Sequence, residues 1–298
     1  MSEQSIITIK ARLKELEDEK KKLLTNLLSL QTEQSVEEIV HSPLGNQVTS
    51  STPVTPIEKI NLFLKLFGCR KDVFPKYWES EKSGKKGYSP ACSNDWVRGV
   101  CNKPKVKCTD CPSKAFLPLD QKSVSQHLMG KMTIGTYTIR ADDSCKFLAA
   151  DFDKGSWEQD VFLFKKEAEK LGVDTLVERS RSGNGGHAWI FFSEFIPASL
   201  ARQLGSVIMT RAIMKSSRFD LSSYDRFFPN QDYIPKGGFG NLIALPLQKV
   251  PRESGNSVFI GDDLEVIKDQ WKHLSSVCLL CTSPSPRDAT LSRMPSSA

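Results

Sequence analysis

Apolar side chains recur at heptad spacing near the start of the chain. The steps alternate between four and three residues, which predicts a coiled-coil helix over residues 5–34 that self-associates. Lys20 lies on the apolar seam and would weaken it, and a lone amphipathic helix that packs on its own domain is the alternative. The seam consists of Ile9, Leu13, Leu16, Lys20, Leu23, Leu27 and Leu30.

Residues 35–56 are predicted to form a flexible linker, because the segment HSPLGNQVTSSTPVTP is rich in Ser, Thr and Pro. A folded domain is then expected over residues 57–277. Within it, apolar runs that fit strands alternate with amphipathic stretches that fit helices. Strands are predicted at 146–152, 174–180, 187–193 and 241–248, and helices at 156–172 and 197–215.

This alternation predicts a mixed α/β (α+β) domain around one sheet. Ser156 is the expected N-cap of the first predicted helix, because its hydroxyl can accept a free backbone N–H of the first turn. Pro197 is expected at the start of the second helix.

Composition adds little to this picture. The 298 residues carry 41 Lys and Arg against 35 Asp and Glu, a net charge of +6, which permits a nucleic-acid partner without arguing for one. No apolar run approaches the roughly 18 residues of a membrane span. The N-terminus also lacks the pattern of a signal peptide. We therefore expect a cytoplasmic protein with no membrane contact.

The last residues, 278–298, read CLLCTSPSPRDATLSRMPSSA and show no apolar period. They are similar to the translation of a sequencing adapter, with Cys281 where such a translation usually has Tyr. We expect the natural protein to continue beyond Val277, so that this chain is a truncated fragment. A natural disordered tail is the alternative, and either interpretation leaves residues 278–298 out of the predicted fold.

Four cysteines within residues 92–111 have a spacing typical of a metal site. Four thiolates suit the tetrahedral shell of a structural zinc, and they leave no open position for a substrate. The sequence therefore predicts a zinc knuckle, whereas two disulfides would need an oxidising compartment. The predicted ligands are Cys92, Cys101, Cys108 and Cys111.

Basic and aromatic residues surround this predicted knuckle. Such residues can follow a single-stranded DNA or RNA backbone, and solvated lysines around a metal loop are the alternative. They are Trp96, Arg98, Lys103, Lys105, Lys107 and Lys114.

Asp151 and Asp153 end an otherwise apolar predicted strand, where a core would reject two charges. Residues i and i+2 share a face of a strand, so both carboxylates can bind hard cations such as Mg or Mn. A D-x-D pattern alone is weak, because a chain of this length yields about one by chance.

A glycine-rich segment, RSRSGNGGH (179–187), joins two predicted strands. An ordinary hairpin turn is the alternative to a phosphate-binding role. We favour the phosphate role, because glycines let backbone N–H groups converge on an anion and charged or polar side chains adjoin them. The candidate phosphate contacts are Arg179, Arg181, Ser182, Gly183, Gly185 and His187.

A third carboxylate would complete a two-metal shell. Asp225 and Asp232 compete for this role, with Asp220 a weaker candidate. Lys236, among glycines, is one more candidate phosphate contact.

These elements, in this order, resemble the archaeo-eukaryotic primase superfamily, whose motifs are a paired aspartate, a small-x-His element and a hydrophobic-Asp. The chain is most similar to the primase domain of TOTE conflict systems. The stretches that carry the resemblance are GYSPACSNDW, KCTDCPSKAFLPL, AADFDKGSW, ERSRSGNGGHAWIFF, YDRFFPNQD and PKGGFGNLIALPLQ.

The resemblance implies that Asp151, Asp153 and Asp225 bind two divalent metals, and that Ser182 and His187 hold a nucleoside triphosphate. It implies a fold with an RRM-like catalytic sheet and a template-dependent nucleotidyltransferase, a primase-polymerase. It also implies a mobile-element conflict system with a helicase and a nuclease as partners. A metal-dependent nuclease and a non-catalytic zinc-dependent binding module for single strands are the alternatives.

Overall fold

The computed structural model describes residues 51–215, 223–234 and 236–281, together with Arg12 and Glu19. Three segments lie outside the described residues. They are the predicted coiled coil except for Arg12 and Glu19, most of the predicted linker, and residues 282–298. The helices are α1 (Pro56–Phe67), α2 (Gln121–Leu128), α3 (Trp157–Lys170), α4 (Ala198–Lys215), α5 (Lys249–Glu253) and α6 (Gln270–Ser275). The strands are β1 (Pro75–Glu79), β2 (Lys86–Pro90), β3 (Gly135–Tyr137), β4 (Ser144–Asp153), β5 (Leu176–Arg179), β6 (Gly185–Pro197), β7 (Tyr224–Phe228), β8 (Leu242–Ala244) and β9 (Val258–Phe259).

Five strands form the central sheet, in the order β7-β4-β6-β5-β9, and neighbouring strands are antiparallel. The chain builds it from two β-α-β units, β4-α3-β5 and β6-α4-β7, and in each unit another strand lies between the two that the helix joins. This split β-α-β topology is the one expected for an RRM-like sheet. The predicted mixed α/β fold is confirmed.

The two faces of the central sheet are covered by different helices. Phe152 of β4 packs against Phe164 of α3, with ring centroids 5.8 Å apart. On the opposite face, Phe67 of α1 lies edge-on to Trp189 and Phe191 of β6, at 5.1 and 5.2 Å. Because side chains alternate along a strand, Asp151 and Asp153 lie on the face that α1 covers in part.

Helix α1 begins at a capping box that its sequence encodes. Thr55 accepts from the backbone N–H of Glu58, and the Glu58 carboxylate accepts from the Thr55 N–H at 2.9 Å. These bonds satisfy backbone donors that have no partner within the helix. The buried side chains of α1 then form a stripe at helical spacing, Leu62, Phe63, Leu66 and Phe67.

The long predicted elements lie where the sequence placed them, within a few residues. Ser156 is the N-cap residue of α3, as predicted, but its hydroxyl donates to Asp160 Oδ2 at 2.8 Å and does not accept a backbone N–H of the first turn. Pro197 ends β6, and α4 begins one residue later. Among the helices that the structure describes, none combines the length and the hydropathy that a membrane span requires.

The fold continues past Val277, where the sequence analysis placed its end. Leu280 N–H donates to Phe191 O at 2.9 Å, and Ser193 N–H donates to Leu280 O at 2.9 Å, so residues 278–281 extend the contacts of β6. Leu279 is buried. Of the predicted tail, only residues 282–298 therefore lie outside the described fold.

Candidate active site

A cavity of about 790 Å³ opens beside the central sheet. Its walls come from the end of β4, the β5–β6 turn, the β1–β2 hairpin and the segment around α5. A volume of this order suits a ligand of the size of a nucleotide. The predicted site residues that line it are Asp151, Asp153, Arg181, Ser182, Gly185 and His187.

Strand register brings the D-x-D pair and the histidine together. Asp151 lies opposite His187, and Asp153 lies opposite Gly185, in the antiparallel β4–β6 pair. His187 Nε2 is 3.4 Å from Asp151 Oδ1. Phe152 between the two aspartates is buried, so both carboxylates are left on the cavity side.

His187 is held from behind by a buried carboxylate. Its Nδ1 lies 3.0 Å from Glu178 Oε2, and the same oxygen accepts from Trp189 Nε1 at 2.9 Å. Burial by itself lowers the pKa of His187, but the negative charge of Glu178 and the contact with Asp151 outweigh it and raise the pKa to about 10. The imidazole can therefore donate from Nε2 to an anion in the cavity.

The glycine-rich segment is a hairpin turn between β5 and β6, as the alternative interpretation had it, and it also lines the cavity. Ser180 N–H donates to Gly185 O at 2.8 Å, and Gly183 N–H donates to Ser180 O at 3.0 Å. Gly183 occupies the left-handed region with φ +81. Because these N–H groups already have partners, side chains such as Ser182 are better placed than the backbone to meet a phosphate.

The two predicted arginines have different surroundings. Arg179 donates to Gly255 O at 3.0 Å and to Leu264 O at 2.7 Å, so it ties the segment after α5 to the sheet. The Arg181 guanidinium lies over the Tyr77 ring, 4.4 Å from its centroid, and lines the cavity. Such a cation–π contact restrains a long side chain.

The candidates for a third carboxylate also separate. Asp225 lies on β7, which pairs with β4, at an irregularity in the register beside Asp151. Its Oδ2 accepts from Arg226 Nε at 2.7 Å. Asp232 instead pairs with Arg202 of α4. Within the described part of the chain the cavity lining includes neither aspartate, nor Lys236, and Asp220 is not among the described residues.

Comparison with known protein families identifies the domain. The TOTE conflict system, Archaeo-Eukaryotic Primase domain, matches residues 58–283. The chain belongs to this family. A search among curated proteins finds no match.

Among solved structures, the chain is similar to one described as the polymerase domain from Mycobacterium tuberculosis Ligase D in complex with DNA. The identity is 11%, the similarity covers 85% of this chain and 92% of that one, and the TM-score is 0.36.

The carboxylates of the primase domain fit a divalent cation in part. Among the described residues, no three His, Cys, Asp or Glu side chains are close enough together to hold a metal ion. Mg²⁺, however, commonly binds through one or two carboxylates together with substrate phosphates. Asp151 and Asp153 lie on one side of the cavity and supply two carboxylates of this kind.

The four cysteines of the predicted knuckle line one small cavity of about 20 Å³, but among the described residues no three of them are close enough together to hold a metal ion, so the zinc stays a prediction. All eight cysteines fall within the described residues, and all are free thiols, so the disulfide alternative is not realised. Cys92 Sγ accepts from the Ala115 N–H at 3.4 Å, and burial raises the pKa of the Cys108 thiol. Nearby, Trp96 is 69% exposed. The Lys103 ammonium lies over the Trp96 ring at 5.9 Å.

Sequence reasoning missed Glu178 and the hairpin residues Tyr77 and Lys86, all of which line the cavity of the primase domain. Glu178 did leave a signal, a carboxylate inside a predicted apolar strand, of the kind that drew attention to Asp151. The hairpin left none, because only the folded chain brings Tyr77 against Arg181 in the β5–β6 turn.

Proposed function

We propose that this primase domain is a template-dependent nucleotidyltransferase, a primase-polymerase that extends or initiates a strand from nucleoside triphosphates. The observation that carries the proposal is the pairing of Asp151 with His187 across β4 and β6, at 3.4 Å, on the wall of a nucleotide-sized cavity. Cation-binding carboxylates and an anion donor then face the same space. Membership of the primase family supports the reaction class.

Asp151 and Asp153 would hold Mg or Mn, with Asp225 on the neighbouring strand as the third carboxylate. Bound there, two such ions would supply the positive charge that activates a 3′-hydroxyl and neutralises the α-phosphate and the departing pyrophosphate. Arg181 and Ser182 donate to the triphosphate, and His187 donates from Nε2. None of these three side chains needs to move a proton, because they bind and orient the substrate.

The knuckle would contribute a structural zinc bound by its four cysteines. Its exposed Trp96 and its lysines would contact the single-stranded template by stacking and by charge. A role in a mobile-element conflict or defence system, with a helicase and a nuclease as partners, rests on the family alone. Self-association through residues 5–34 rests on their heptad seam.

The test measures incorporation of labelled nucleotide on a single-stranded DNA template with Mn or Mg, with and without a primer. Asp151→Asn should lower incorporation by about a hundredfold or more, as expected when charge stabilisation of a transition state is lost. Asp263→Asn, at an exposed turn, is the control and should keep the parent rate. Asp225→Asn should lose nucleotide incorporation, and Asp232→Asn should retain it.

Unchanged synthesis by a folded Asp151→Asn variant would contradict the site. Strand cleavage without added nucleotide would favour a nuclease. Template binding with no turnover, and with no response to Asp153→Ala, would favour a binding module.

A further inference from the structure

Glu178 is a charged side chain in the interior of the central sheet. It is 2% exposed and lies directly opposite His187 in the β5–β6 pair. Burying a carboxylate is unfavourable unless hydrogen-bond donors compensate for the lost water. Trp189 Nε1 donates to Glu178 Oε2 at 2.9 Å, and His187 Nδ1 lies 3.0 Å from the same oxygen. These two groups supply the donors.

The contact with Glu178 also determines which nitrogen of His187 faces the cavity. A carboxylate accepts hydrogen bonds, so Nδ1 carries a proton whenever this contact is made. Nε2 is then the nitrogen directed towards Asp151 Oδ1, at 3.4 Å. Without the carboxylate, the ring could rotate, or its proton could move to the other nitrogen.

Trp189 connects this carboxylate to the rigid core. The indole is fully buried, lies edge-on to Phe67 at 5.1 Å, and stacks with Phe191 at 6.0 Å. The position of Glu178 Oε2 is therefore set by close-packed rings and not by a loop. His187 takes its place in the cavity from the same packing.

We propose that Glu178 is a positioning residue for the nucleotide site: it holds His187 so that Nε2 faces the phosphate oxygens of a nucleoside triphosphate. This inference rests on the proposed function, and it adds a residue that acts on the substrate only through the imidazole.

The test is steady-state incorporation by the full chain and by Glu178→Gln, His187→Ala and the double variant. Glutamine keeps the shape and one acceptor oxygen but removes the charge, and its NH₂ can face Nδ1 instead. Glu178→Gln should raise the nucleotide KM by about tenfold, the size typical of losing a residue that orients a binding group, with a smaller change in kcat. In the His187→Ala background the same change should alter KM by less than about twofold.

Glu167 provides a matched control. It is equally buried, at 0% exposed, and its carboxylate pairs with Lys170 and Arg211, outside the site. Glu167→Gln should lower stability and leave the nucleotide KM at the parent value. If Glu178→Gln leaves KM unchanged, or raises it equally with and without the imidazole, Glu178 only stabilises the sheet and the inference is overturned.

A second measurement does not depend on activity. In ¹H–¹⁵N spectra of the nucleotide-free chain, the Nδ1 proton of His187 should be observed, should be missing in His187→Ala and should shift in Glu178→Gln. If this proton is observed but the parent never incorporates nucleotide, the positioning stands and the proposed function fails. If the parent incorporates nucleotide but this proton is missing, the positioning fails.

Discussion

At Gly185, strand β6 approaches β4 so closely that a side chain has no room. A Cβ there would lie 2.6 Å from the Phe152 carbonyl oxygen and 3.2 Å from Asp153 Oδ1. Gly185→Ala should therefore lower the free energy of unfolding by about 3 kcal/mol, as overpacking does, and should abolish incorporation by displacing Asp153.

Gly172→Ala is the comparison for Gly185→Ala. Gly172 has φ +72 and open space around it, so alanine there meets only backbone strain, of about 1 kcal/mol. Chemical unfolding and incorporation are measured for both variants. Equal losses of stability, or retained activity in Gly185→Ala, would contradict the close approach.

His127 should make stability depend on pH. It is fully buried between Ile134 N–H, which donates to Nδ1 at 3.2 Å, and Pro246 O, which accepts from Nε2 at 2.9 Å. Burial lowers its pKa to about 4, so between pH 6.5 and about 4 the unfolded chain binds the proton that the folded chain rejects. The free energy of unfolding should therefore decrease as the pH is lowered from 6.5 to about 4, by about 3 kcal/mol in total.

The measurement for His127 is urea unfolding at a series of pH values, for the parent and for His127→Gln. Carboxylates titrate in both proteins, so the informative quantity is the difference between their slopes. The variant should be less stable at neutral pH and should lose less stability on acidification. Identical slopes would mean that His127 is not the group responsible.

Individual residues show what the sequence could and could not provide. The D-x-D pair was predictable, because two charges at the end of an apolar strand are a local signal. The partnership of Glu178 with His187 was not, since it depends on the register of two strands across a turn. Arg179 and Arg181 look equivalent in the sequence. Only the fold shows that Arg179 donates to backbone carbonyls and that Arg181 lines the cavity.

Among the elements, the knuckle makes the clearest prediction. The purified chain should contain one zinc, Cys101→Ser should lose it, and Cys281→Ser, a half-buried cysteine outside the knuckle, should keep it. A closed thiolate shell contributes directly to folding, so a chelator should unfold residues 92–111. Metal analysis and deuterium uptake of residues 92–111 report the two effects. Equal zinc contents in both variants would exclude the cysteine shell.

A run of apolar residues, more than element length, decided which strands the sequence revealed, because β5 and β8 were predicted although they have only 4 and 3 residues. Strands β4 and β6 and helices α3 and α4 were predicted because each carries a long apolar pattern. Strands β1 and β2 were missed, because PKYWE and KGYSP are short and largely polar or exposed. Strand β9 has 2 residues, too few for any period.

Across the whole molecule, the net charge of +6 is modest, so template binding should depend on where the cations lie. If the knuckle contacts the template, Lys105→Gln/Lys107→Gln should reduce the slope of log affinity against log salt by about 1.4, at about 0.7 per phosphate contact on a single strand. Lys268→Gln/Lys272→Gln removes the same charge from exposed positions at α6 and should leave the slope unchanged. A titration at several salt concentrations distinguishes them, and equal slopes would place the contact elsewhere.

Strand β6 pairs with β4 on one side and β5 on the other, and it carries both His187 and the core residue Trp189. Amides in such a strand exchange with solvent only when the whole domain unfolds. We expect the β1–β2 hairpin, a two-stranded sheet that bears Tyr77 and Lys86, to open at a lower free energy than β6. One wall of the cavity therefore stays folded while the other opens and closes. A bound nucleotide should slow deuterium uptake in the hairpin and leave the uptake of β6 unchanged.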